Sequence, residues 1–417
     1  MSRYRVILSL FFSLMLLGNT VQAKEQIPVS EDSLIVYALW FDEQNQYAQS
    51  REIYADLYDR TGAKEYLFRE ATASLMSKSY VYETITRLQE WEQKYSESLE
   101  TKRLLIPLFL TVNEKYQAKQ ESEYLLERSG NLGDLELASN SFLYTGEFRR
   151  ALDLLLQVYE ETLNENILLR IAMVMDEYTD QRKEILPLLE SHRRIHGGSE
   201  ALYLKLIQLY IKEKNIEALL TTYKALYANY PTEEYMHKIL FVFGYKRDVE
   251  GAIAFLEENP GYEMILYDLY KVNKVFDKAL DLLDTFYKSD HNAKWLAEKA
   301  VLLFEQAEHK DDKAMLDSVV DYFELAMKQG VDDSLYLNYY GYTLIDKEYD
   351  VKKGVDIIEE ALKQQPDNTF YLDSLAWGYY KQNRCEEAYE VMKGVVEAEG
   401  LGEPEIAQHW DAIQKCR

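Results

Sequence analysis

Apolar side chains in this chain recur every three or four residues, the spacing that sets them on one face of an α-helix. No stretch alternates in the manner of a half-buried strand. The pattern runs from about residue 30 almost to the C-terminus. In "TFYLDSLAWGYYKQNRCEEAYEVMKGVVEAEG", Thr369 to Gly400, two amphipathic segments follow one another as a helical hairpin. The closing "EPEIAQHWDAIQKC" predicts one further helix. Pro404 suits its first turn, and Ile406, Trp410 and Ile413 form a single stripe opposite Glu, Gln, Asp and Lys. The predicted class is all-α.

A longer beat lies over the helical one. With Thr369 as position 1, apolar or small residues fall at Leu372, Leu375, Ala376, Tyr379, Ala388, Met392 and Val395. The preceding unit repeats this order with Gly341, Gly354, Ile358, Ala361 and Pro366 at positions 8, 20, 24, 27 and 32. Asp367 or Asn368 stands ready to cap the next helix. The register continues backwards through Phe276, Ala279, Leu283 and Phe286, through Ala218, Thr222 and Ala225, through Phe148, Ala151, Leu155 and Val158, and through Tyr47, Ser50, Tyr54 and Leu57 before Gly62. Unit starts fall near residues 31, 65, 99, 132, 165, 199, 233, 260, 293, 334 and 369, a mean spacing of about 34 residues. The unit from 233 is short and the one from 293 is long, its extra length lying in the polar turn "EHKDDKAM". Pro107 and Pro187 fall inside predicted helices, where they should kink them.

These positions, and the residue sizes found at them, resemble the tetratricopeptide repeat superfamily, and "YLDSLAW" is similar to exported bacterial members of it. The resemblance implies a right-handed α-solenoid of about eleven helix hairpins over 31–402, with 403–417 as a C-terminal capping helix over the otherwise exposed apolar end. It also implies that repeat positions 2, 5, 9, 12 and 13 line the concave side. There the sequence places Tyr66, Tyr144, Tyr203, Tyr210, Phe241, Tyr342, Phe370, Trp377 and Tyr380. Such an aromatic groove suits capture of an extended peptide or an amphipathic helix, because rigid rings give contact area with little rotamer entropy to lose. Packing between neighbouring first helices is the competing role for each ring. Some family members clamp a partner's C-terminal carboxylate with Lys and Asn at positions 5 and 9. Here position 5 holds Ile35, Arg69, Arg103, Glu136, Tyr203, Asn338 and Asp373, so no such clamp is expected.

Residues 1–23 have the form of a cleavable secretory signal. Arg3 and Arg5 precede the apolar run Val6 to Leu17, Gly18 breaks it, and Val21-Gln22-Ala23 supplies small residues at the cleavage positions. The run is too short to span a bilayer, which takes about 20 apolar residues. Residues 24–30 form a short linker, and no later segment approaches membrane-spanning length. The expected product is exported, with the periplasm as its destination and secretion as the alternative.

Charge and candidate chemistry narrow the function. The 417 residues carry 72 acidic and 47 basic side chains, a net charge of -25 that repels phosphate backbones and argues against nucleic acid as partner. His192 and His196 share a helix face at i, i+4, yet two arginines and no acid lie between them, so a solvated helix end is the plainer reading than a metal site. No phosphate loop or nucleophile elbow occurs, and neither enzymatic activity nor a cofactor is expected. Cys385 and Cys416 sit where the cap meets the last hairpin. In an oxidising compartment they can form a disulfide; otherwise they remain two separate thiols. The 35 tyrosines are the chain's most unusual count. Together these features describe a non-catalytic scaffold that binds proteins, of the kind that family resemblance links to outer-membrane assembly, secretion or motility machines. A glycan- or peptidoglycan-binding protein is the alternative, and a polymer hydrolase a weaker third.

Overall fold

The computed structural model describes residues 30–96 and 98–416. The signal segment 1–23 and nearly all of the linker after it therefore lie outside the described residues. Twenty-three helices and no strand occur among the described residues. Taken in pairs they make eleven hairpins: α1 (Glu31–Glu43) with α2 (Tyr47–Thr61), α3 (Lys64–Ser77) with α4 (Val81–Tyr95), α5 (Leu99–Thr111) with α6 (Lys115–Arg128), α7 (Leu132–Thr145) with α8 (Phe148–Thr162), α9 (Glu165–Tyr178) with α10 (Arg182–His196), and α11 (Glu200–Glu213) with α12 (Ile216–Asn229). They continue as α13 (Glu233–Lys246) with α14 (Val249–Glu258), α15 (Glu263–Val272) with α16 (Phe276–Asp290), α17 (Lys294–Gln306) with α18 (Lys313–Lys328), α19 (Ser334–Asp346) with α20 (Val351–Gln364), and α21 (Thr369–Lys381) with α22 (Cys385–Glu399). The last helix, α23 (Pro404–Cys416), stands alone. Packing divides the chain into two units, one ending at Tyr235 and the other beginning at Met236.

Local chemistry sets the helix starts. Ser30, Ser98, Asn131, Asn164, Ser199, Asp312, Asp333 and Asn368 each accept a backbone N–H of the first turn through the side chain. Asp312 splits the polar insertion after α17: the turn ends there, and Lys313, Ala314 and Met315 already belong to α18. Pro107 and Pro187 lie inside α5 and α10.

Every substantial helix contact joins helices that are next, or next but one, in sequence. That is the packing of a repeat stack, in which each hairpin buries its apolar face only against its neighbours. Within the α19–α20 hairpin two glycines face one another. A Cβ on Gly354 would stand 2.7 Å from the Gly341 carbonyl oxygen, and one on Gly341 would stand 2.9 Å from the Gly354 oxygen. Small residues at positions 8 and 20 therefore let α19 and α20 touch backbone to backbone. Between hairpins, larger side chains fill the space, as Leu105 and Leu108 do against Ile85 and Leu88. The helix α23 buries Ile406, His409 and Ile413 on the last hairpin and leaves Glu405, Gln408, Asp411 and Lys415 outside.

Candidate functional site

The nine aromatic residues expected along the inner face do not share one environment. Tyr144, Phe241 and Phe370 are well exposed, at 60%, 73% and 60%. Tyr66, Tyr342 and Tyr380 are half-buried. Tyr203, Tyr210 and Trp377 are buried, which removes them from any open binding surface. For the first two the reason is register. Helix α11 begins at Glu200, one residue later than the sequence spacing set it, and one residue turns a helical side chain by about 100°. Tyr203 and Tyr210 then take the fourth and eleventh positions, which face the core. Tyr210 donates its hydroxyl to Glu190 Oε1 at 2.6 Å, on the preceding hairpin. Trp377 has a different cause. The cap folds over it, stacking the His409 ring at a centroid distance of 4.1 Å, while Tyr380 stacks on Trp377 at 4.8 Å.

Within the second unit, the first helices of three successive hairpins form an open cleft of about 470 Å³. Phe304 lines it from α17, Leu335, Asn338, Tyr339 and Tyr342 from α19, Phe370 and Asp373 from α21, and Glu405 from the cap. Two of the nine expected residues, Tyr342 and Phe370, meet here. Leu335 and Tyr339 are exposed beside them, and neither was singled out from the sequence. The Oδ1 atom of Asn338 is buried beneath this lining without a hydrogen-bond partner. Tyr342 donates to Glu405. Burial, and then that carboxylate, hold its phenol far above the ordinary tyrosine range. His409 Nδ1 lies 3.0 Å from both oxygens of Asp373, with both side chains buried, so the cap is pinned to α21 by a buried pair beside the cleft. The surface offered is an aromatic floor edged by the acidic side chains Glu305, Asp373 and Glu405.

Several of the tyrosines pair with acidic side chains. Phenol hydroxyls donate to carboxylates of the same or neighbouring hairpins: Tyr54 to Asp42 at 2.7 Å, Tyr66 to Glu31 at 2.6 Å, Tyr267 to Glu298 at 2.6 Å and Tyr349 to Asp317 at 2.7 Å. A phenol spans the gap between helices with an apolar ring and ends in a donor, so each bond satisfies a carboxylate without adding a positive charge. The hydrogen bond to Glu31 pushes Tyr66 up to about 12, and the bond to Glu200 does the same for Tyr235. On Glu298 burial works upward, but donors from Lys271, Tyr267 and Tyr336 outweigh it and hold the carboxyl below its usual range. The sequence signal for this network was the tyrosine count itself. Position-5 side chains are engaged similarly: Arg103 grips Asp134 through two bonds of 2.7 and 2.8 Å, and Glu136 accepts from Arg170 at 2.8 Å.

The remaining candidates have structural surroundings. His192 is buried, with Nδ1 2.9 Å from the Tyr159 hydroxyl, and burial holds its pKa down. The His196 ring lies 5.0 Å from it, centroid to centroid. Cys385, at the start of α22, and Cys416, at the end of α23, are joined as a disulfide with Cα atoms 5.6 Å apart. Among the described residues no helix is long and apolar enough to cross a membrane.

Helices paired into hairpins whose main contacts are with helices next or next but one in sequence, on a beat of about 34 residues, define an all-α helical-hairpin repeat protein. No family model matches the chain, and no curated protein matches it. Among solved structures, it is similar to the crystal structure of the APC/C hetero-tetramer Cut9-Hcn1, at 11% identity over 92% of this chain and 96% of that one, with a TM-score of 0.41. It is also similar to Naa15/Naa10 bound to HypK-THB, at 14% identity over 92% and 68%, TM-score 0.35, and to the P58(IPK) TPR domain, at 14% identity over 92% and 97%, TM-score 0.26. The partners named there belong to those proteins. The repeat class of this chain follows from its own hairpins.

Proposed function

We propose that this chain is an exported, non-catalytic scaffold that binds segments of other proteins along the first helices of its hairpins, and so supports assembly of a cell-envelope machine. The observation that carries the reading is the cleft across α17, α19 and α21. Exposed Leu335, Tyr339 and Phe370 line it beside the acidic side chains Glu305 and Glu405, apolar anchors with charge alongside of the kind recognition sites use. The acidic cleft favours segments carrying Lys or Arg. The leader at 1–23 supports export, and with it the periplasm.

Crosslinking in intact cells from a photoreactive residue at position 339, followed by identification of the attached proteins, tests this directly. Defined protein adducts that disappear in Phe370→Ser support the scaffold. Adducts unaffected by Phe370→Ser and Leu335→Ser place binding elsewhere and remove the cleft from the account. Retention on isolated cell-wall polymer, lost in those same variants, transfers the function to glycan binding. Intact mass of the purified protein tests the leader: a chain beginning at Lys24 agrees with export, and one retaining Met1 does not.

A further inference from the structure

The two ends of the described hairpin array are built differently. At the C-terminal end, α23 covers the last hairpin and turns a polar face outward. At the other end, no described helix precedes α1, and its sequence EDSLIVYALWFDE is apolar around most of its circumference. In the hairpins that begin with α3, α5, α19 and α21, residues at the seventh or tenth position of the first helix face the hairpin before. Glu70 bonds Arg51, and Ala73 packs with Tyr54 and Leu57. Leu105 and Leu108 pack on Ile85 and Leu88, Tyr340 on Phe323, and Leu375 on Ile358. All six are buried. The corresponding residues of α1 are Tyr37 and Trp40, and they are 49% and 42% exposed, flanked by exposed Val36 and Leu39. The seam by which those hairpins receive their predecessors is therefore present on α1, built of large side chains, and open.

We infer that this seam docks an amphipathic helix of a partner protein, which takes the place of a preceding hairpin's second helix and carries Lys or Arg beside its apolar stripe. Geometry fixes the helix, because the seam is the same one that α3, α5, α19 and α21 each fill with the preceding hairpin's second helix. Charge fixes its chemistry. Glu31, Asp32, Asp42 and Glu43 bracket Tyr37 and Trp40, and α1 contains no basic residue. A second copy of this chain is the wrong occupant. Pairing α1 with α1 in either direction brings acidic ends onto acidic ends, and like charges so placed repel. The seam is separate from the cleft at α17, α19 and α21, so failure of one reading leaves the other standing.

The probe is a fluorescein-labelled synthetic helix of roughly 18 residues, long enough to hold a helix once docked, with Leu and Ala on one face and Lys on the other. Its counterpart carries Glu in place of Lys. Anisotropy titrations use the full chain as purified. The Lys peptide is expected to bind, and to bind about tenfold or more weakly to the Tyr37→Ser/Trp40→Ser variant, while Phe370→Ser leaves its affinity unchanged. The Glu peptide is expected to bind at least about tenfold more weakly than the Lys peptide. Val36→Glu gives an independent second variant with the same expected loss, and circular dichroism checks that both variants keep the wild-type helix content. Equal affinity for wild type and both seam variants means general attraction to an acidic protein, and overturns the proposal. So does a dimer in sedimentation that Trp40→Ser dissolves, or a crosslink from position 37 to residues before 30 of the same chain.

Discussion

Gly354→Ala adds one methyl group where α19 and α20 meet backbone to backbone, and its effect is the difference of two opposed terms. Replacing glycine by alanine inside a helix gains about 1 kcal/mol from backbone propensity. Against this, the new Cβ would sit 2.7 Å from the Gly341 carbonyl oxygen, 2.7 Å from Ile345 Cγ1 and 3.2 Å from Leu344 Cβ. A side-chain atom can rotate aside, but a helix carbonyl cannot. Helices α19 and α20 must then separate, and overpacking of this kind costs about 1–3 kcal/mol, with backbone contact placing it near the upper end. The net is a loss of about 1–2 kcal/mol, or a five- to thirty-fold faster opening of this hairpin. Repeat arrays often unfold in parts, so amide hydrogen exchange resolved to α19 and α20 is the right assay, rather than a single melting temperature. Gly394→Ala in α22 supplies the control. Nothing lies within 4 Å of its added Cβ, so only the propensity gain remains, and exchange in α22 should slow by a few-fold. Unchanged or slower exchange of α19–α20 in Gly354→Ala would show that the hairpin crossing is not set by glycine contact.

Other predictions use the tyrosine network and the cap. Tyr66 and Tyr235 are pushed up to about 12, and Tyr54, Tyr267 and Tyr342 are also raised. A phenol raised in the folded state contributes stability fully below its unfolded pKa of about 10, and that contribution is lost as pH climbs through the folded value. Absorbance at tyrosinate wavelengths should therefore show these rings ionising together with loss of helical dichroism; full ionisation at pH 10 with helices intact would contradict the pairing. Glu298 is held low, so its contribution is present above about pH 4.3 and fades as pH falls through the folded value. Tyr267→Phe with Tyr336→Phe removes two of its donors and should move the acid unfolding midpoint upward, and an unmoved midpoint would leave the tyrosines without that role. Cys416→Ser opens a loop spanning 31 residues and should destabilise the cap by about 3–4 kcal/mol, read as faster exchange in α23. Equal exchange in variant and wild type, with two thiols titrating before reduction, would show that the bridge contributes nothing.

What repeats locally can be read from the amino-acid string. Helical periodicity, capping side chains and small residues at positions 8 and 20 are each chosen within one hairpin, so the hairpin order and the Gly341–Gly354 crossing are legible there, while helix starts shift by one to three residues, as at Glu200 and Glu263. The same logic located the cap through Ile406 and Ile413. Which face each aromatic residue presents depends on contacts made from other hairpins. One residue of register turned Tyr203 and Tyr210 into the core, and a helix arriving from the chain's end covered Trp377. The pairing of Asp373 with His409, 36 residues apart, has no local signature, nor does the choice of carboxylate for each phenol. Period and propensity are summed over neighbours in sequence, whereas exposure is settled by whatever packs against a residue from another hairpin. For that reason the repeat was readable from composition and spacing, while the open seam on α1 and the cleft beside the cap required coordinates.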